Sequence, residues 1–156
     1  MTQEELMREA VRLAVANVQA GRGGPFAALI ARNGAIIASG TNLVTSANDP
    51  TAHAEVVAIR EACRMQGDFR LSGCELYTTC EPCPMCLGAI YWARLDRVVY
   101  AATRDDAARA GFDDGFIYRE LCVPASERAL LMKQIEREAA QEPFGVWEMQ
   151  EGRVRY

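Results

Sequence analysis

Apolar side chains open the chain at helical spacing, with Leu6, Ala10, Leu13 and Ala14 along one stripe. Thr2-Gln3-Glu4-Glu5 precedes them as a capping box, and Gly21 marks the end of this helix. Gly23-Gly24-Pro25 reads as a loop. Phe26 to Ala31 and Ala35 to Ala38 are apolar runs on either side of Asn33-Gly34, which predicts a β-hairpin. Asn48-Asp49-Pro50 predicts a turn. Thr51 to Met65 then follows helical periodicity through Val56, Val57, Ile59 and Cys63. Glu75 to Thr79 reads as a strand, and Cys80-Glu81-Pro82 turns the chain into a helix from Pro84 to Trp92. Arg97 to Ala102 is a further strand, Asp105 to Ala110 is helical, and Gly111 to Gly115 is a loop. Leu130 to Ile135 predicts a fifth strand, and a last helix begins near Arg137. This order predicts an α/β fold in three layers, α-β-α, around a mixed sheet of four to five strands.

Composition narrows the class. The 156 residues fit one domain spanning 1–156, with 50% apolar and 24% charged residues, as in a globular protein. Apolar residues are spread throughout, which excludes disorder over most of the length. No window of ~20 residues is free of charge, so no membrane span is expected. Met1 to Glu9 is acidic and lacks an apolar core segment, so no secretory leader is expected and the cytoplasm is the predicted location. The net charge of −4 argues against a broad nucleic-acid surface.

The chemistry sits in three segments. His53-Ala54-Glu55 opens one predicted helix and holds the only histidine. Pro82-Cys83-Pro84-Met85-Cys86 opens another, and Asp113-Asp114 lies in a glycine-flanked loop with aromatics on both sides. Cys83 and Cys86, three apart at a helix start, lie on one face, where exposed amides favour thiolate. With His53 they make three ligands of the types zinc prefers, leaving a fourth position for water, which is the catalytic arrangement. Glu55, two residues from a ligand, is a candidate proton carrier. A fourth protein ligand from Cys80 or Cys74 would instead make a purely structural site. Cys80, Cys83 and Cys86 also have part of an iron–sulfur spacing, but no cysteine follows at the next expected position. H-x-E with a downstream P-C-x-x-C is the signature of zinc nucleobase deaminases, which favours catalytic zinc.

At these residues the chain resembles the cytidine deaminase-like superfamily. Gly23-Gly24-Pro25-Phe26, Asn48 through Glu55, Cys80 through Cys86, Gly88 through Arg94 and Ala110 through Asp114 are together similar to the bacterial guanine deaminases within it. The similarity weakens between Pro124 and Gln150. The resemblance implies the cytidine deaminase-like fold and one zinc per subunit on His53, Cys83 and Cys86. It implies hydrolysis of guanine to xanthine and ammonia, with attack by zinc-bound hydroxide and Glu55 shuttling the proton. It implies that Phe26, Asn42, Ala54, Trp92 and Phe112 contact the base and that Asp114 accepts from its N–H groups and assists proton transfer. It further implies a homodimer whose C-terminal segment crosses to the partner, placing Tyr156 at the partner's pocket. Asp113 reads as a loop or capping residue, and Cys63, Cys74 and Cys122 as buried small apolar groups.

Two relatives in reaction type remain open: a tRNA adenosine deaminase and a cytosine deaminase. The former must bind a flipped nucleotide and its phosphates. Residues 116 to 156 hold six basic and seven acidic residues, so no basic tail serves that role. A structural zinc module that binds a partner is the reading from outside enzymology. It needs a fourth protein ligand and no role for Glu55.

Overall fold

The computed structural model describes residues 1–156. They divide into two compact units, Met1–Gly115 and Phe116–Tyr156.

The first unit is built on a four-stranded sheet in the order β2-β1-β3-β4, from β1 (Ala27–Arg32), β2 (Ala35–Thr41), β3 (Glu75–Cys80) and β4 (Arg97–Ala102). β1 runs antiparallel to both β2 and β3, whereas β3 and β4 are parallel, as the mixed sheet requires. The predicted hairpin is present. Asn33 and Gly34 both have positive φ, 51° and 74°, which a tight turn between right-twisted strands demands.

Alternation along the strands sorts side chains to two faces. Leu29, Ala31 and Tyr77 meet Leu6 and Ala10 of α1 (Gln3–Gln19). Ala28, Ile30 and Leu76 meet Ala54, Ala58 and Ala62 of α3 (Ala54–Gln66), with Ile90 of α4 (Pro84–Trp92) in the same cluster. The sheet is therefore sandwiched between α1 on one face and α3 with α4 on the other, giving the three expected layers. Gly40 on β2 has no room for a side chain: a Cβ there would lie 2.3 Å from the Ala54 carbonyl oxygen and 2.4 Å from the Ala58 nitrogen. That close approach seats the start of α3 against the sheet. The capping box at Thr2 is formed in both directions, at 2.8 and 3.2 Å.

Several elements differ from expectation. α3 starts at Ala54, three residues later than predicted, because the Asp49 carboxylate accepts the Thr51 amide at 2.8 Å and holds Thr51 in a turn. A short helix, α2 (Val44–Ala47), follows β2, where the sequence carries no capping signal. α5 (Arg104–Arg109) matches its predicted span to within a residue. No helix is long and apolar enough to cross a membrane.

The second unit holds most of α6 (Gly115–Leu121), two 3₁₀ turns at Ala125–Glu127 and Ala139–Gln141, and α7 (Glu142–Met149). The predicted fifth strand over Leu130 to Ile135 is irregular. An apolar run becomes a strand only when a neighbour takes its backbone groups, and here the side chains are exposed instead, Leu131 at 92%. The last helix begins at Glu142 rather than near Arg137, with Pro143 in its first turn. Cys122, expected to be buried, is exposed, and Cys63 is only half-buried. No residue from Phe116 to Tyr156 is buried.

Candidate metal centre

Two helix N-termini meet in the first unit. His53 is the N-cap of α3 and Cys83 is the N-cap of α4. The Cys83 sulfur accepts the Cys86 amide at 3.5 Å, in the manner of an oxygen N-cap, and Pro84 fits the next position because it has no N–H to satisfy. His53 Nδ1 lies 3.5 Å from the Cys83 sulfur and 3.6 Å from the Cys86 sulfur. The three donor atoms all lie within 4.8 Å of one another.

These spacings fit zinc. Tetrahedral bonds of ordinary zinc–nitrogen and zinc–sulfur length set neighbouring donor atoms about 3.5–3.8 Å apart. Imidazole and two thiols are the ligand types the metal prefers. No fourth side chain completes the group. The Cys80 thiol donates to the Thr103 carbonyl at 3.6 Å, and the Cys74 sulfur accepts from Gln66 at 3.7 Å. Both sulfurs are thus engaged elsewhere, which removes the ligands that a closed structural site or an iron–sulfur run would need.

Electrostatics are tuned by the same contacts. Cys83 is drawn down to about 4, first by the hydrogen bond from the Cys86 thiol and then by His53. Cys86 is pushed up by donating that bond and by burial. Two adjacent sulfurs resist sharing two negative charges, a conflict that a dication removes. His53 is raised above its ordinary value, chiefly by its hydrogen bond to Cys83. Glu55 is buried and raised by that burial. Its carboxylate accepts from the Thr78 hydroxyl at 3.2 Å and lies 3.4 Å from the Cys86 sulfur, which places it beside the donor set.

Residues 1–102 match the family described as the cytidine and deoxycytidylate deaminase zinc-binding region. The chain belongs to this deaminase family. It is 56% identical to guanine deaminase of Bacillus subtilis (strain 168) over 147 residues, 94% of this chain and 94% of that relative. The X-ray structure of guanine deaminase from Bacillus subtilis superposes with a TM-score of 0.97 at 54% identity, covering 100% of this chain and 99% of the other. The tRNA-specific adenosine deaminase of Bacillus subtilis (strain 168) is 45% identical over 103 residues, 65% of this chain and 63% of its own length. Zinc is therefore the metal of the family, and His53, Cys83 and Cys86 are the residues placed to hold it.

The remaining residues expected at a deaminase site fall as follows. Phe26 and Phe112 meet edge to face, with ring centres 4.9 Å apart and planes at 85°. Asn42 is buried, and its side-chain oxygen accepts the Gly24 and Val44 amides, each at 3.2 Å. Ala54 is buried at the first position of α3, where backbone N–H groups lack helical partners. Asp114 is half-buried and raised by that burial, then by the nearby Cys83 charge. The Asp113 carboxylate turns back to accept the Gly115 amide at 2.8 Å, a loop-capping role. Trp92, at the end of α4, is 62% exposed, and Tyr156 belongs to the second unit and is 74% exposed. Sequence reasoning missed Thr78 and Asn17. Asn17 continues the spacing of Leu6, Ala10 and Ala14, and an amide on that buried stripe is the signal that marks it.

Proposed function

We propose that the chain is a cytoplasmic guanine deaminase, hydrolysing guanine and water to xanthine and ammonia, a step in purine breakdown. One observation carries the reading: the three-ligand centre with Glu55 held beside it, in a chain 56% identical to a guanine deaminase over 94% of its length. Zinc held by His53, Cys83 and Cys86 supplies a Lewis acid that makes water acidic near neutral pH. Glu55 would take one proton from the attacking water and pass it to the ring nitrogen, then carry the second, from the hydroxyl newly bonded to the ring carbon, to the amine as its bond to that carbon breaks. Its raised pKa suits a group that must accept and release a proton. Phe26 and Phe112 offer aromatic surface for a flat base. Asn42 and the Ala54 amide offer N–H donors, and Asp114 offers a carboxylate to the base's own N–H groups. A base without donors facing Asp114 would leave a partly buried carboxylate unpaired, which disfavours it.

Ammonia release from guanine, adenine, cytosine, cytidine and an adenosine-bearing tRNA stem-loop tests this, with Glu55→Ala as control. Turnover of guanine that vanishes in the variant supports the reading. Silence on guanine with release from the stem-loop favours tRNA editing.

The same reading includes a homodimer in which the C-terminal segment, with Tyr156, crosses to its partner, so that the chain works as one deaminase domain. The support is the second unit, whose Leu130, Leu131, Ile135, Phe144, Val146 and Met149 are all exposed. α4 points the same way: it is apolar on all sides, yet Leu87, Tyr91 and Trp92 are exposed. Such surfaces are seldom left to water. Sedimentation at twice the chain mass supports the dimer. Monomeric behaviour at all concentrations sinks it.

A further inference from the structure

We propose that Asn17 is a positioning residue for base recognition, and that it acts through Asn42. The inference rests on the reading that Asn42 contacts the base. Asn17 is wholly buried on α1, far from the metal centre in sequence, and its amide nitrogen makes two hydrogen bonds. One goes to the Gly24 carbonyl at 3.1 Å and the other to the Asn42 carbonyl at 2.8 Å. Gly24 in turn donates to the Asn42 side-chain oxygen, and the Asn42 amide donates to the Phe26 carbonyl at 3.0 Å. Asn17, Gly24, Asn42 and Phe26 thus form one hydrogen-bonded ring. A Cβ at Gly23 would lie 2.1 Å from the Asn42 carbonyl oxygen, so only glycine lets the two loops approach closely enough to share the Asn17 amide.

The ring decides what Asn42 presents. Its side-chain oxygen is already occupied by the amides of Gly24 and Val44. Turning that amide over would set its N–H groups against two N–H donors. Asn42 therefore offers its N–H groups and not its oxygen, and it selects bases with an acceptor at that point. Asn17 holds the two loops in the register that makes this orientation obligatory. The arrangement carries a local penalty: the Asn17 side-chain oxygen is buried with no partner. A stranded acceptor opposes stability, and polar groups of this kind concentrate where function needs them.

The test is a pair of variants and a cycle. Asn17→Leu keeps the branched heavy-atom shape, removes both donors and removes the stranded acceptor. Asn17→Ala removes the donors without adding apolar bulk. With zinc content and melting confirmed, Asn17→Leu is expected to raise KM for guanine about tenfold and to leave kcat within about threefold, as for loss of one well-placed hydrogen bond. In an Asn42→Ala background the same change is expected to raise KM less than about twofold, since residues that act as a unit are non-additive. An unchanged KM in a zinc-loaded Asn17→Leu enzyme overturns the proposal while leaving guanine deamination intact. Equal losses in both backgrounds overturn it too, because Asn17 would then act independently of Asn42. Failure of both position-17 variants to fold or to bind zinc makes Asn17 a residue of the fold alone and also overturns it. A wild-type protein silent on guanine sinks the functional reading itself, and the proposal with it.

Discussion

The two units of the chain spend their apolar residues in opposite ways. In Met1–Gly115, strands alternate Leu29 and Ala31 against one helix layer with Ala28 and Ile30 against the other, and those side chains are buried. In Phe116–Tyr156, residues as apolar as Leu131, Phe144 and Met149 are exposed, and none is buried. The difference teaches that apolar content alone does not make a core. A sheet with two covered faces buries its residues within one chain. A run of short helices and turns does not. The match to the deaminase family falls at residues 1–102, inside the unit that has the core and the metal ligands. Similarity to guanine deaminase extends over 94% of this chain, whereas similarity to the tRNA-specific adenosine deaminase covers 65% of it.

The sharpest test of this division removes the chemistry from the first unit without touching its core. Glu55→Gln keeps the shape and the hydrogen bond from Thr78 but removes the base, and kcat should fall by about 10²–10⁴-fold. Zinc content should stay at one per chain, and melting should be unchanged or raised, because a buried carboxylate is replaced by a neutral amide. Loss of zinc in this variant would break the assignment of Glu55 as a proton carrier rather than a ligand.

Leu29→Ala and Leu131→Ala compare the units directly by chemical denaturation. The first should cost about 2–5 kcal/mol, since it empties a filled site between α1 and the sheet. The second should change the stability of a monomer by less than about 0.5 kcal/mol. A Leu131→Ala loss that grows on dilution would locate the missing burial in a second copy.

Acid should weaken activity before it weakens the fold. Glu55 must be ionised to take a proton, and burial raises it above its ordinary value. The acid limb of kcat/KM should fall about tenfold per pH unit below the pKa that Glu55 has in the zinc-loaded enzyme. For folding the sign is opposite: a carboxyl raised in the folded state contributes stability below its unfolded pKa, lost as pH rises through the folded one. Metal-free protein should thus gain stability from Glu55 on mild acidification, and Glu55→Gln should abolish that gain. The smallest effect is expected at the first helix, where Thr2→Ala should cost about 1 kcal/mol by opening the capping box.

What the sequence revealed depended on range. His53, Glu55, Cys83 and Cys86 were readable because helix starts and two- or three-residue spacings are local, and so was the Asn33-Gly34 turn. The chain order of α1, β1 to β4, α3 and α4 followed from periodicity. The start of α3 was misjudged because a side chain, Asp49, captured a backbone amide that the periodicity assigned to the helix. Leu130 to Ile135 was misread as a strand because an apolar run does not say which surface will cover it. Asn17 was legible only as an amide on the buried stripe of α1, and its role was not, because its partners Gly24 and Asn42 are brought together by the pairing of β1 with β2.

The position of the metal ligands has a kinetic consequence. His53 and Cys83 are thirty positions apart, and β3 lies between them. An ion can bridge them only after β3 has paired with β1 and both helix starts have been carried to the same end of the sheet. Closing so long a loop around a metal in the unfolded chain is entropically unfavourable. Zinc then behaves as a latch on an assembled structure and not as a seed for it. Its binding should slow unfolding strongly and leave the refolding rate nearly unchanged, the signature of contacts made after the transition state. A cell short of zinc would accumulate folded chains that open too readily, rather than chains that never folded.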